Sequence, residues 1–312
     1  GVWNIILCGM VVAIFLIAMN PLKSDQKESE IASASIKDES KRTCMDFLDQ
    51  NSISGCKTTQ DDIEYWAVLI AVGEYANNPD QNRPSMLEAV DNLYELLLRS
   101  EYWDENHIKI LKAQECTALN IIDALKWLAD KDDENDISLV YITTHGIQGP
   151  DLPPFDEEDS YDEYLVTYFG FEYPFTCIWD DELNFLLSRL DSQGVAVIID
   201  SCHSGGFGDS AGRKEWAKEF MTDIENDGRV VLMSCAEDEL SYGTYFTNYI
   251  VEGLEGYADS NDDGMCSAEE AFEYAEPKIL ELAEEWNKDW HPQIYDGYQE
   301  ELPLLELSLI HI

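Results

Sequence analysis

The chain has 312 residues, with 64 Asp or Glu against 19 Lys or Arg and a formal net charge of −45. Hydrophobic residues at 45% and aromatics at 11% are enough for a packed core, which excludes general disorder. So acidic a surface excludes nucleic acid as a partner and points to cations, basic peptides and calcium.

The charge is unevenly spread. Residues 1–60 hold seven acids and six bases, a net of −1, and the remaining −44 lies on residues 61–312. Val2 to Met19 is almost wholly apolar and ends at Asn20-Pro21 with a first lysine at 23, the length of a signal-peptide core or a short membrane anchor. The expected organisation is therefore a signal peptide or anchor over 1–22, a polar linker or pro-segment over 23–61, and one large α/β domain over 62–312. The eight cysteines (8, 44, 56, 116, 177, 202, 235 and 266) show no C-x-x-C spacing and no zinc pattern. Cys44 and Cys56 flank a polar segment and suit pairing outside the cytoplasm.

Tyr65 to Gly73 reads as the first core strand. Asn77 to Asn82 makes a loop, and Leu87, Val90, Leu93, Tyr94 and Leu97 recur at helical spacing to about Arg99. Ile108 to Leu111 is a short strand. Thr117 is an N-cap candidate for a helix carrying Ile121, Ile122, Leu125 and Leu128. Ile137 to Gly146 is a third strand, ending in His145-Gly146. This β-α-β-α-β alternation predicts a parallel sheet with helices on both faces.

Gly149 to Thr176 has no lysine or arginine, and seven of residues 151–164 are acids, a length that marks a functional or disordered loop. Asp180-Asp181-Glu182 opens a helix to about Leu190, since acids suit a helix N-terminus. Val195 to Ile199 is a β-branched apolar run, the pattern of a buried parallel strand, broken off by Asp200-Ser-Cys-His-Ser-Gly205. Phe207 to Gly228 carries Arg213, Lys214 and Lys218, three of only seven bases after residue 131. Arg229 to Ser234 is the next strand and Thr244 to Leu254 a helix.

Cys202 and His145 each close a strand at its carboxyl end, the edge where open α/β sheets bind ligands. Alone, Cys202 reads as a small buried thiol and His145 as a turn histidine. Neighbouring parallel strands would bring both to one edge, and a cysteine nucleophile needs an imidazole to form its thiolate and to protonate the leaving amine.

Asp259 to Glu270 matches a twelve-residue calcium loop, with oxygen donors at positions 1, 3, 5, 9 and 12 and glycine at 6. The expected ligands are Asp259, Asn261, Asp263, Ser267, Glu270 and the Met265 carbonyl, between flanking helices Phe246–Leu254 and Ala268–Trp290. Without a second copy, this is a single embedded EF-hand-like loop.

His-Gly ending one strand and Asp-Ser-Cys-His-Ser-Gly ending another resemble the caspase-like cysteine peptidases, metacaspases most closely, over roughly Tyr65 to Leu309. In caspases the histidine lies about 50 residues before the cysteine; here the two are 57 positions apart. The resemblance implies a caspase-like α/β/α sandwich with a mostly parallel central sheet. It implies Cys202 as nucleophile, His145 as general base and acid, and the N–H groups of Cys202 and Gly146 as an oxyanion hole. His203 is set aside as a base, because successive side chains on a strand face opposite ways. The metacaspase pattern places acids in the S1 pocket at positions matching Asp200 and Asp91, which favours Arg or Lys at P1. Glu88, one helical turn before Asp91, could join them, although Glu88-Ala-Val-Asp91 stands where the family has Cys-x-Asn-Asp. The resemblance also implies a calcium-activated site at Asp180, Asp181 and Asp209, with Asp162 from the acidic loop. Residues 207–228 resemble the caspase inter-subunit linker, and self-cleavage after Arg213, Lys214 or Lys218 is expected. The resulting expectation is a calcium-dependent or calcium-stabilised cysteine endopeptidase acting on peptides or proteins. It would be secreted or anchored through its N-terminal segment, with the catalytic domain outside the cytoplasm. The alternatives are a legumain- or transamidase-like enzyme directed at asparagine and a catalytically dead calcium-binding interaction module.

Overall fold

The computed structural model describes residues 63–150, 161–203, 220–222, 224–235 and 244–307. The expectations for the N-terminal segment, the polar linker, Cys44, Cys56, Asp209 and the three bases of the 207–228 stretch lie outside these residues. Among the described residues, no helix is long and apolar enough to cross a membrane.

The centre is a sheet in the order β2-β1-β3-β6-β7-β9. Its strands are β1 (Tyr65–Ala71), β2 (Trp103–Lys112), β3 (Ile137–Pro150), β6 (Gly194–His203), β7 (Arg229–Met233) and β9 (Gln293–Asp296). The first five run parallel, and only β9 joins antiparallel, on β7. Two short strands extend the carboxyl end of β3 on its β1 side: β4 (Tyr161–Leu165) pairs antiparallel with β3, and β5 (Ile178–Trp179) with β4. A separate ribbon joins β8 (Met265–Ser267) and β10 (Pro303–Glu306).

The uninterrupted apolar runs follow from burial on both faces. Along β1, Tyr65, Ala67, Leu69 and Ala71 enter one core, while Trp66, Val68, Ile70 and Val72 enter the other. The first core is closed by α1 (Pro84–Leu97), α4 (Tyr245–Glu252) and α5 (Ala268–Trp286), through Val90, Leu93, Phe246, Ile250, Phe272 and Ile279. The second is closed by α2 (Ala118–Ala129) and α3 (Asp180–Leu187), through Ile121, Leu125, Leu128, Leu183 and Leu186. The α/β sandwich read from the sequence is the fold observed.

Thr117 caps α2 as expected, its side chain accepting from the Asn120 N–H at 3.3 Å. Several expected boundaries need correction. The helix expected to reach Trp290 ends at Trp286, because Asn287 adopts the left-handed conformation (φ 50°) that terminates helices. Trp290 instead turns back and donates to the Ser234 carbonyl at 2.6 Å. The helix expected to reach Leu190 stops at Leu187. The β2 strand is ten residues long rather than four; its first half carries three consecutive exposed polar residues, Asp104, Glu105 and Asn106, as an edge strand can, and so lacks an apolar run. The described part of the acidic 149–176 stretch is not a plain loop. It carries β4 and β5, whose core-facing side is supplied by Tyr164, Leu165 and Ile178.

Candidate active site

Strands β3 and β6 run in register to their carboxyl ends, where Thr143 pairs with Asp200, Thr144 with Ser201, His145 with Cys202 and Gly146 with His203. The two chemistry-bearing residues are thus direct neighbours on adjacent strands. The backbone before Cys202 is braced from β7: the Ser234 hydroxyl and the Cys235 thiol both donate to the Ser201 carbonyl, at 2.9 and 3.3 Å.

His145 is 4% exposed. Its Nε2 lies 2.9 Å from the Gln81 carbonyl oxygen, an acceptor, so Nε2 carries the proton and Nδ1 keeps the lone pair. Nδ1 has no hydrogen-bond partner among the described residues. The imidazole sits against Tyr75 and Phe171, with ring centroids 5.1 and 5.6 Å away. Burial, with the Arg83 charge nearby, pushes its pKa down to about 4 against the pull of the Gln81 carbonyl, so the ring is a neutral base near pH 7. Its backbone is fixed too: the His145 N–H donates to the Tyr75 hydroxyl at 3.1 Å. That hydroxyl pairs with Thr144 Oγ1 (3.0 Å), which donates to the Val166 carbonyl.

Asp200, the third candidate on these strands, is 2% exposed. The Thr247 hydroxyl donates to it at 2.5 Å and the Thr247 N–H at 3.3 Å, while Thr247 Oγ1 in turn meets the buried Tyr141 hydroxyl at 3.0 Å. Burial and this neighbouring carboxylate push the Tyr141 phenol far above its ordinary range. The other two S1 candidates come from α1. Glu88 and Asp91 are on the exposed face of α1, and Asp91 accepts from Lys112 Nζ through both oxygens, at 2.6 and 2.7 Å. Among the described residues, Lys112 is its one hydrogen-bonding partner.

Two groups of acids were read as calcium ligands. In the first, Asp162 and Asp180 are buried where β4 meets the start of α3, Asp181 is half-buried, and Glu163, which the sequence reading did not include, is buried next to Asp162. Asp180 accepts from the Glu163 N–H at 3.0 Å and the Asp181 N–H at 2.8 Å, and the Tyr164 hydroxyl donates to Asp162 at 3.2 Å. Burial and the adjacent Asp162 and Asp180 raise the Tyr164 phenol strongly. In the second, the side chains of the 259–270 loop fold over its own backbone. Asp259 accepts from the Asp263 and Gly264 N–H groups, Asn261 from Asp263 N–H, and Asp263 from Met265 N–H. Gly264 has φ +84°, the left-handed turn for which glycine was expected there. Buried Glu270 accepts from Ser260 N–H with one oxygen and, in a capping box, from Ser267 N–H with the other. Among the described residues, no group of three or more His, Cys, Asp or Glu side chains is placed to hold a metal ion.

Sequence reasoning missed Gln81, Tyr75, Phe171 and Thr247. Gln81 acts through its carbonyl, which every residue has, and the others touch the site through contacts that no local pattern encodes.

Residues 64–298 match the family model described as caspase domain. Metacaspase-1 of Candida albicans is 31% identical over 150 residues, 45% of this chain and 33% of the relative. Metacaspase-1B of Aspergillus terreus is 33% identical over 148 residues, 45% of this chain and 38% of the relative. The aligned part thus spans little more than a third of these relatives' length. Among solved structures, caspase-1 from Spodoptera frugiperda superposes with a TM-score of 0.52 at 14% identity, covering 80% of this chain and 92% of that one. Protein GSU0716 from Geobacter sulfurreducens does so with a TM-score of 0.54 at 16% identity, covering 78% of this chain and all of the other.

Proposed function

The chain belongs to the caspase domain family of cysteine peptidases, and on that premise we propose that it is a calcium-dependent endopeptidase cleaving after arginine or lysine. The observation carrying the reading is the register pairing of His145 with Cys202, together with the Gln81 carbonyl that leaves His145 Nδ1 as the basic nitrogen. In the mechanism, Nδ1 takes the Cys202 thiol proton and the thiolate attacks the scissile carbonyl carbon. The N–H groups of Cys202 and Gly146 stabilise the oxyanion. The imidazolium then protonates the leaving amine, and water, deprotonated by the same ring, hydrolyses the acyl-enzyme. The acid-limb pKa of a lone, dry His145 rises once a thiolate forms beside it, since an opposite charge favours the imidazolium.

Basic P1 specificity is supported by Asp200, a buried carboxylate two positions before Cys202. Asp91 would have to exchange Lys112 for the substrate cation in order to contribute, and Glu88 would follow it from the same exposed face. Calcium is supported at two places. Asp162 and Asp180 are buried carboxylates close to the start of α3, where a divalent cation would offset their charge; with Asp181 and Asp209 they would hold the activating ion. The 259–270 loop already turns its donors inward and would hold a stabilising one through Asp259, Asn261, Asp263, Ser267, Glu270 and the Met265 carbonyl. Bound calcium supplies charge neutralisation in both places. Self-cleavage after Arg213, Lys214 or Lys218, and a secreted or membrane-anchored location, complete the proposal. It is supported by the basic cluster in an otherwise acidic chain and by the apolar run at 2–19.

The test is a panel of peptides differing only at P1, as Arg, Asp or Asn, with and without calcium. The reading expects Arg to be cleaved best and calcium to raise its rate. Preference for Asp or Asn contradicts the specificity, and the latter would favour an asparagine-directed enzyme.

A further inference from the structure

We propose that the loop from Tyr168 to Phe175 is a specificity shelf for the leaving side of the substrate, receiving a large apolar or aromatic side chain from the first or second residue after the cleaved bond. This rests on the peptidase reading above. Strand β6, with Cys202, lies on one side of β3, and β4 lies on the other. The chain leaving β4 starts with Val166 N–H donating to the His145 carbonyl at 2.8 Å, so the loop stands across His145 from the nucleophile's strand. A general acid hands its proton to the leaving amine, so the departing half of the substrate must pass His145 on that side.

The loop is built for apolar contact. Five of its eight residues are aromatic, in a chain where aromatics are 11% of residues. Phe171 points its ring at His145, while Phe169, Tyr173 and Phe175 stay 38%, 43% and 52% exposed. The Tyr173 and Phe175 rings are 5.8 Å apart, a spacing that gives one continuous surface. The single charged residue, Glu172, is engaged by the Asn77 side-chain amide at 2.6 Å. The surface is also pre-formed. Ala76 N–H donates to the Tyr168 carbonyl at 2.8 Å, Tyr168 N–H to the Cys116 carbonyl at 2.9 Å, and Tyr173 N–H to the Phe169 carbonyl at 2.8 Å. Gly170 permits this folding, for a Cβ there would come within 2.7 Å of the Cys177 sulfur. A shelf held this firmly loses little entropy when a side chain settles on it. Phe171, 5.6 Å from the His145 ring, joins the loop directly to the general acid, which places the loop beside the residues that follow the cleaved bond.

The experiment uses the full chain with peptides that share Arg at P1 and differ in the two following residues: Phe-Gly, Gly-Phe, Leu-Gly and Gly-Gly. The expected result is a kcat/KM about tenfold higher for the best Phe or Leu peptide than for Gly-Gly, the scale on which apolar pockets discriminate. Phe175→Ser and Tyr173→Ser should each collapse that ratio toward one, whereas Tyr257→Ser, on an exposed ring elsewhere, should preserve it. Cys202-dependent cleavage with equal kcat/KM across the four peptides would overturn the shelf while leaving the peptidase reading intact. Failure to cleave any of them would overturn both. The wild-type ratio decides the matter even if a variant proves unstable.

Discussion

His145 and Cys202 are register partners at the carboxyl ends of adjacent parallel strands, and the residue at each following position, Gly146 and His203, is paired as well. The backbone spacing of the two residues is therefore set by the sheet ladder itself rather than by loops.

A nucleophile and base acting as one unit should show non-additive loss. Cys202→Ala and His145→Ala should each reduce turnover by at least about a thousandfold, and the double variant should be no worse than the poorer single one. Steady-state kinetics on an Arg peptide measure this, with thermal unfolding to confirm that the fold persists. Multiplying losses would mean that the two residues act separately.

Tyr75 positions the base through its hydroxyl. Tyr75→Phe strands the buried His145 N–H and should cost about 1–3 kcal/mol of stability. Denaturant unfolding reads this out; an unchanged midpoint would show that the hydroxyl carries no such bond.

The depressed pKa of His145 links it to acid stability. Its folded value of about 4 lies below the ordinary 6.5, so the unfolded chain binds the proton first as pH falls. The stabilising contribution is fully present above about pH 6.5 and is lost as pH drops through the window down to about 4. His145→Gln should therefore flatten the stability profile over that window relative to wild type, whatever the acids elsewhere do. Parallel profiles for the two proteins would contradict the assignment.

Glu270 ties the 259–270 loop, the proposed calcium loop, to the start of α5 through Ser260 N–H and Ser267 N–H. Calorimetry should show calcium uptake by the wild-type chain and a calcium-dependent rise in melting temperature. Glu270→Gln should diminish both the uptake and that rise. Undiminished uptake by the variant, or none by wild type, would exclude calcium from this loop.

Much of this was legible beforehand because periodic burial leaves a local trace. Residues 139–142 of β3 and 195–199 of β6 are apolar at every position since both faces are covered, and the polar residues that follow mark the site. Thr117 and Gly264 were readable from cap and turn chemistry that acts within a few residues. What escaped depended on distant contacts. The Gln81 carbonyl meets His145 across 64 positions, and Thr247 meets Asp200 across 47. Strand β9 lacks an apolar run because its residues are mostly exposed at the sheet's end. The pairing of Asp91 with Lys112 likewise joins α1 to a strand whose full length its sequence conceals.

The most direct test of the central claim is hydrolysis of a P1-Arg peptide in calcium by matched wild-type and Cys202→Ala full chains. The dyad predicts turnover by the wild type and none above background by the variant, with both folded by circular dichroism. Turnover by folded Cys202→Ala at the wild-type rate would contradict it.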